Sequence, residues 1–158
     1  MTDTDTDTHI HVHATAITIG NTGLLFMGPS GIGKSMIAFN CMVCARRSGL
    51  SAALIADDQV ILSRSHAGLI GTCPKSIAGL MEIRGSGIAR LPYVASAPLH
   101  LAIQLVETGT ADRLPPEKET YEIASFGSLP LLRLVREVRE PLAVISTFYP
   151  DIGLPKPF

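Results

Sequence analysis

Charged residues are scarce in this chain of 158 residues, and neither sign prevails: they make up 17% of the sequence, and the formal net charge is −1. Attraction to nucleic acid or to an acidic membrane surface is therefore not expected. Long apolar runs are also lacking, since none approaches the roughly 18 residues of a membrane-spanning helix, and the polar N-terminus does not resemble a signal peptide. Apolar residues still reach 46%, which predicts one compact cytoplasmic domain.

Cysteine is rare as well. Three cysteines, an odd number, do not predict a disulfide framework in a chain expected to be cytoplasmic. Cys41 and Cys44 form a C-x-x-C pair, but their spacing places them on one face of a predicted helix, as residues of a core would be. The sequence offers no second Cys/His pair to complete a tetrahedral zinc site, so core packing is favoured over a zinc or redox role.

What the chain does have is a phosphate-binding loop. Residues 28–35 read GPSGIGKS and fit the P-loop pattern G-x-x-x-x-G-K-[ST], whose glycines let successive backbone N–H groups point at a polyphosphate. Lys34 can reach the β- and γ-phosphates, and the Ser35 hydroxyl can ligate Mg²⁺. A buried strand over 24–27 and a helix over 36–45 provide the required context. The predicted nucleotide-binding residues are Gly28, Pro29, Ser30, Gly31, Ile32, Gly33, Lys34 and Ser35.

The hydrophobic pattern of the remaining chain predicts an α/β P-loop domain over 9–150, with a disordered tail over 1–8 and a second tail over 151–158. Gly49 should end the helix, and residues 131–148 are two strands or a strand and a helix. The other predicted elements are a strand over 9–19 that forms a hairpin with the P-loop strand, strands over 52–56 and 99–106, a hairpin of 60–62 with 69–70, a short helix over 76–81 and a polar loop over 108–119.

Two acidic residues, Asp57 and Asp58, directly follow the predicted strand over 52–56. The chain between Ser35 and Asp57 is long enough for one helix and a return strand, which brings both ends to the same edge of a sheet. One carboxylate there can hold Mg²⁺, and the other can accept the proton of an attacking hydroxyl. The alternative is an Asp pair that merely starts a turn.

Three histidines, His9, His11 and His13, share one face of the predicted first strand. Histidines at period two could chelate a metal, but a solvated strand face is favoured for His9 and His11. His13 lies one hairpin away from the P-loop, where an imidazole could orient or shuttle the proton of the nucleophile.

A glycine-rich charged segment, E-I-R-G-S-G-I, occupies residues 82–88. The Glu82 carboxylate could complete a Mg²⁺ shell, and Arg84 could pair with a phosphate or a carboxylate. Taken alone, the segment is a weak signal, since most such loops are turns held by a surface ion pair.

In order and spacing, these segments resemble the C-terminal catalytic domain of the bacterial HPr kinase/phosphorylase family over about residues 10–148. The family's V-A-D-D segment stands here as I-A-D-D at 55–58, its L-E-I-R-G-x-G-I signature as M-E-I-R-G-S-G-I at 81–88, and its D-R-L piece at 112–114. A histidine precedes the P-loop in the family, as His13 does here. The resemblance implies a P-loop domain with a mixed sheet and a homo-oligomer, a hexamer in that family.

The function implied by this resemblance is Mg-ATP-dependent phosphorylation of a serine on the phosphocarrier HPr, in regulation of phosphotransferase-linked carbon metabolism. Reversal by phosphorolysis is left open. The implied roles are phosphate binding by Lys34 and the P-loop, Mg²⁺ binding by Ser35 and Glu82, proton transfer by Asp58 with Asp57 and His13 beside it, and assistance of the reverse reaction by Arg113. The N-terminal domain of longer members has no counterpart, so control through it is not expected. A small-molecule kinase and a nucleotide-sensing module are the alternatives.

Overall fold

The computed structural model describes residues 9–158, so the predicted tail over 1–8 lies outside the described residues. Two short 3-10 turns, Lys75–Ile77 and Ala124–Phe126, interrupt the strands. The regular elements in chain order are β1 (His9–Val12), β2 (Thr15–Ile19), β3 (Thr22–Met27), α1 (Lys34–Arg47), β4 (Ala52–Ala56), β5 (Val60–Ser65), β6 (Gly68–Thr72), β7 (Leu80–Ile83), β8 (Gly87–Arg90), β9 (Ser96–Pro98), β10 (Leu101–Val106), β11 (Thr120–Ile123), β12 (Gly127–Val135) and α2 (Pro141–Phe148).

A mixed sheet of six strands, in the order β11-β12-β10-β3-β2-β4, forms the middle layer. Strand β3 pairs in parallel with β10, which pairs in parallel with β12, whereas β2 runs antiparallel to both β3 and β4. The expected α/β fold with a mixed sheet is confirmed. Strands β3, β4, β10 and β12 consequently end at the same edge of the sheet, and β2 begins there.

The core has two halves because both faces of the six-stranded sheet are covered. Leu24 and Phe26 of β3 face the helices α1 and α2, while Leu25 faces the second sheet, of order β1-β5-β6-β9. All three side chains are fully buried, which explains why β3 is a continuous apolar run instead of an alternating one. The P-loop is thus attached to the most deeply buried strand of the sheet.

Several predicted elements are confirmed. The strand predicted over 52–56 is β4, the hairpin within 60–70 is β5 with β6, and the helix after the P-loop ends just before Gly49, whose φ of 87° closes it. The segment over 131–148 is a strand and a helix, since it contains the end of β12 followed by α2. Cys41 lies on α1 inside the core, as predicted, and burial together with the neighbouring Cys44 raises the pKa of its thiol.

Two predicted elements are wrong. The single strand over 9–19 is two strands in different sheets, because the chain passes at 13–14 from β1, paired with β5, to β2, paired with β3. The short helix over 76–81 is a 3-10 turn followed by strand β7. Gly79, with a φ of 75°, breaks the turn, and residues 80–83 pair with β8 while Met81 is buried in the core.

The segment after α2 packs against the start of β3. Thr22 donates a hydrogen bond from its hydroxyl to the carbonyl of Ile152, and Leu154 is buried in the core. Of the helices in the described part of the chain, none is long and apolar enough to span a membrane.

Candidate active site

The P-loop, residues 28–35, connects the buried strand β3 to α1. Gly28 has a φ of 149°, and a Cβ added to it would lie 2.9 Å from Cγ2 of Ile32, so a larger residue would distort the loop. Gly33, with a φ of 107°, is the N-cap residue directly before α1, which begins at Lys34. The N–H groups in the first turn of α1 have no partners within the helix and form, with its positive dipole end, an anion-binding terminus.

Lys34 lies folded over this loop. Its ammonium donates hydrogen bonds to the carbonyl oxygens of Gly28 (2.8 Å) and Pro29 (3.2 Å), and its side chain is buried. Burial lowers the pKa of Lys34, while the negative charges of Asp58 and Asp57 act in the opposite direction. Phosphate oxygens would offer this cation a stronger set of acceptors than two carbonyl groups.

Asp57 is the buried member of the acidic pair, only 6% exposed, and it accepts three hydrogen bonds. Its Oδ1 accepts from the hydroxyl of Thr15 (2.8 Å) and from the hydroxyl of Ser35 (2.6 Å), and its Oδ2 accepts from the backbone N–H of Glu82 (3.1 Å). One carboxylate therefore fixes β2, α1 and β7 relative to each other beside the P-loop.

Asp58 is the accessible member of the pair. Its φ of 71° lies in the left-handed region, which Asp tolerates better than most residues. The side chain is 70% exposed, and its Oδ1 lies 3.1 Å from Nδ1 of His13. The predicted proximity of His13 to the acidic pair is thus observed, and of the two carboxylates the one at Asp58 is open to an incoming hydroxyl group.

A cleft of about 620 Å³ joins these groups. Gly28 and Pro29 do not line it, but their carbonyls accept hydrogen bonds from Lys34, which does. Arg113, although it belongs to the described residues, does not line the cleft and is exposed in the polar loop after β10. The lining residues are His13, Thr15, Ser30, Gly31, Ile32, Gly33, Lys34, Ser35, Met36, Ile37, Asp57, Asp58, Glu82, Arg84 and Arg136.

The donor set of the cleft suits Mg²⁺ bound together with phosphates. Within residues 9–158, no group of three or more His, Cys, Asp or Glu side chains is placed to hold a metal ion. Mg²⁺, however, is usually held by one or two carboxylates plus substrate phosphates. The Ser35 hydroxyl donates a hydrogen bond to Asp57, which leaves the lone pairs of its oxygen available to a cation. The exposed Glu82 lines the same cleft. His9 and His11 are exposed along β1.

Two arginines complete the rim. The guanidinium of Arg84 lies next to the P-loop, since its Nη1 is 3.5 Å from the place where a Cβ on Gly31 would stand. Arg136 follows β12, and its Nη1 lies 3.2 Å from Oε1 of Glu107 at the end of β10. Sequence reasoning missed Thr15 and Arg136. The position of Arg136 at the end of a strand running parallel to the P-loop strand is the signal that could have found it.

The chain is similar to known proteins over most of its length. The profile of the HPr Serine kinase C-terminal domain matches residues 5–147. The chain is 31% identical over 140 residues to the HPr kinase/phosphorylase of Lactobacillus acidophilus, covering 82% of the chain and 41% of that protein. It is 32% identical over 127 residues to that of Bordetella pertussis, covering 73% and 38%.

The chain thus spans about two fifths of the length of these curated relatives. Among solved structures, that of the Hpr(Ser) kinase/phosphatase from Coxiella burnetii matches with a TM-score of 0.71 and 26% sequence identity. This match covers 90% of the chain and 95% of the matched structure, so the likeness extends beyond the P-loop to the whole architecture.

Proposed function

Because the chain belongs to the HPr serine kinase C-terminal domain family, we propose that it transfers the γ-phosphoryl group of Mg-ATP to a serine of HPr or of an HPr-like phosphocarrier. The observation that carries this proposal is that two neighbouring carboxylates beside the P-loop have different surroundings, one buried and one exposed. Asp57 is buried against the Ser35 hydroxyl, and Asp58 is exposed beside His13. A protein substrate can reach Asp58, whereas Asp57 is shielded within the fold.

Nucleotide binding is assigned to the P-loop. The N–H groups of the loop and of the first turn of α1 would bind the β- and γ-phosphates, and the Lys34 ammonium would exchange its two carbonyl acceptors for phosphate oxygens. Ser35 and Glu82 would hold the metal ion. When bound, Mg²⁺ neutralises charge that develops on the transferring phosphoryl group.

Proton transfer is assigned to Asp58. Its carboxylate would accept the proton of the substrate serine as the serine oxygen bonds to the γ-phosphorus and the bond to the ADP oxygen breaks. His13, at 3.1 Å, would orient that carboxylate. In the reverse direction inorganic phosphate would attack the phosphoserine, Asp58 would return the proton, and Arg113 would assist from its exposed loop. We further propose that the protein acts in the cytoplasm as a homo-oligomer, a hexamer by family resemblance.

The test uses γ-labelled ATP and purified HPr. Serine-linked label on HPr should appear with the unaltered protein and fall at least about a hundredfold in Asp58→Asn, because that variant removes the general base. Asn tolerates a left-handed backbone nearly as well as Asp, so the variant changes the charge more than the fold. Lys34→Ala should also lose activity, whereas the exposed Asp151→Asn should behave like the unaltered protein.

Two outcomes contradict the proposal. Label on a small metabolite instead of HPr indicates a small-molecule kinase, and label on neither indicates a nucleotide-sensing module. Excess inorganic phosphate added to phospho-HPr then tests the reverse reaction, in which pyrophosphate release should depend on Asp58.

A further inference from the structure

Thr15 is a fully buried polar residue that none of the sequence motifs contains. We infer that Thr15 is a positioning residue that holds the Asp57 carboxylate in the orientation in which it accepts the hydrogen bond of the Ser35 hydroxyl. Through this contact Thr15 supports the Mg²⁺-dependent binding of ATP. This inference rests on the proposed function, because it concerns the metal-nucleotide site assigned above.

The hydrogen bonds of Asp57 show what Thr15 contributes. Oδ1 accepts from Thr15 at 2.8 Å and from Ser35 at 2.6 Å, while Oδ2 accepts from the N–H of Glu82. Two of these donors are anchored outside the metal site, Thr15 on Oδ1 and the Glu82 N–H on Oδ2. Without the Thr15 hydroxyl, the only donor left on Oδ1 among these three is the Ser35 hydroxyl, which can itself rotate and is the group expected to face the metal.

The placement of Thr15 follows from the sheet order. Strand β2 lies between β3, which leads into the P-loop, and β4, which leads into the acidic pair, and it runs in the opposite direction. Thr15 is its first residue, paired with Phe26 near the end of β3, and the next residue, Ala16, is paired with Ala56 at the end of β4. A β-branched side chain has a restricted χ1 torsion angle, so the hydroxyl at this position is held in place.

The consequence concerns the Ser35 oxygen. A hydroxyl has one proton and two lone pairs, and the Ser35 proton is directed at Asp57, which leaves the lone pairs available to a cation in the cleft. If the Asp57 carboxylate turns, Ser35 can turn with it. Loss of Thr15 should therefore weaken the part of ATP binding that depends on Mg²⁺ more than the part that depends on the P-loop amides.

The experiment measures equilibrium binding of a fluorescent ATP analogue to the full chain, with Mg²⁺ and with a chelator. The gain in affinity from Mg²⁺ should fall about tenfold in Thr15→Val, the lower end of the range for removing a direct partner of a metal ligand, because Thr15 acts on the ligand Ser35 through Asp57. Thr15→Ser, which keeps the hydroxyl, should recover most of the gain. Thr18→Val on the same strand is the matched control, since the Thr18 hydroxyl donates only to the carbonyl of Gly20.

A double-mutant cycle separates positioning from loss of fold. In a Ser35→Ala background, Thr15→Val should cause no further loss of the Mg²⁺ gain, because the Ser35 hydroxyl, which Thr15 orients only through Asp57, is absent. Equal losses in both backgrounds, or an unchanged gain in Thr15→Val, would overturn the inference. Should Thr15→Val fail to fold, Thr15→Ala is compared with Thr15→Ser by the same criteria. If the unaltered protein itself gains no affinity from Mg²⁺, the proposed function fails and not the role of Thr15 alone.

Discussion

At the scale of single residues, Lys34 combines a positive charge with a buried position beside two carboxylates. Burial lowers its pKa from the usual lysine value of 10.5, and the charges of Asp58 and Asp57 only partly oppose this. Between the lowered pKa and 10.5 the unfolded chain binds more protons than the folded one, so the contribution of Lys34 makes the free energy of unfolding rise with pH in that window.

Lys34→Met should remove this rise. Urea unfolding of both proteins at a series of alkaline pH values measures the difference in unfolding free energy, unaltered minus variant, which should increase with pH. Burial raises the pKa values of Cys41, Cys73 and Tyr121. Both proteins contain these groups, so their contributions to the pH dependence of the unfolding free energy cancel in the difference. Parallel pH curves for the two proteins would contradict the assignment.

The residues that sequence analysis identified are those whose role follows from a local pattern. The P-loop, the Asp57–Asp58 pair and Glu82 each belong to a contiguous motif, and all of them come together around the cleft. Thr15 could not be identified in this way, because its contact with Asp57 spans 42 residues and depends on β2 lying next to β4. Arg113 remains a prediction, since it lies outside the cleft lining.

At the scale of elements, the start of β3 is packed against the end of β9 and the residues that follow it. A Cβ added to Gly23 would lie 1.9 Å from the carbonyl oxygen of Pro98. The N–H of Gly23 donates a hydrogen bond to Nδ1 of His100, and the carbonyl of Gly23 accepts one from the N–H of His100. Gly23→Ala should destabilise the protein by about 3 kcal/mol, at the upper end of overpacking costs.

The matched control for Gly23 is Gly20 in the preceding turn. Its φ is 56°, and a Cβ there would meet nothing within 4 Å, so Gly20→Ala should cost only about 1 kcal/mol from the left-handed backbone. Denaturant unfolding of both variants measures the two losses. Similar losses would show that the close approach at Pro98 is relieved by a small shift of the chain.

The elements that were predicted correctly carry a strong local signal. Strand β4 is a short apolar run ended by two acids, and α1 is bounded by Gly33 and Gly49. The two wrong elements were decided by distant partners. Residues 80–83 form a strand because β8 pairs with them, and the break at 13–14 exists because β1 and β2 pair with different sheets. Hydrophobic period alone cannot reveal these pairings.

At the scale of the whole molecule, the cleft gathers residues from the two ends of the described chain. His13 precedes β2, Glu82 lies on β7 and Arg136 follows β12, so a ligand bound in the cleft would contact segments that are far apart in sequence. A ligand that binds only this folded arrangement stabilises all of them together.

Mg-ATP at a hundred times its dissociation constant should therefore add about 2.7 kcal/mol to the unfolding free energy, which raises the melting temperature of a domain of this size by roughly 5–10 °C. Differential scanning fluorimetry with increasing Mg-ATP measures the shift. The shift should be lost in Lys34→Ala and retained in Asp151→Asn. An equal shift in Lys34→Ala would place the nucleotide elsewhere on the protein.

The pairing of β3 also bears on how the chain is made. Strand β3 meets β2 through a tight hairpin, but its other neighbour is β10, where Leu24 lies opposite Leu101. During synthesis the P-loop strand emerges with the backbone N–H and C=O groups of one edge unpaired, and that edge stays open until the ribosome has added all of the intervening chain and β10 itself. Closing so distant a contact is slow. The strand that carries the P-loop is therefore exposed to misassembly until β10 has been made.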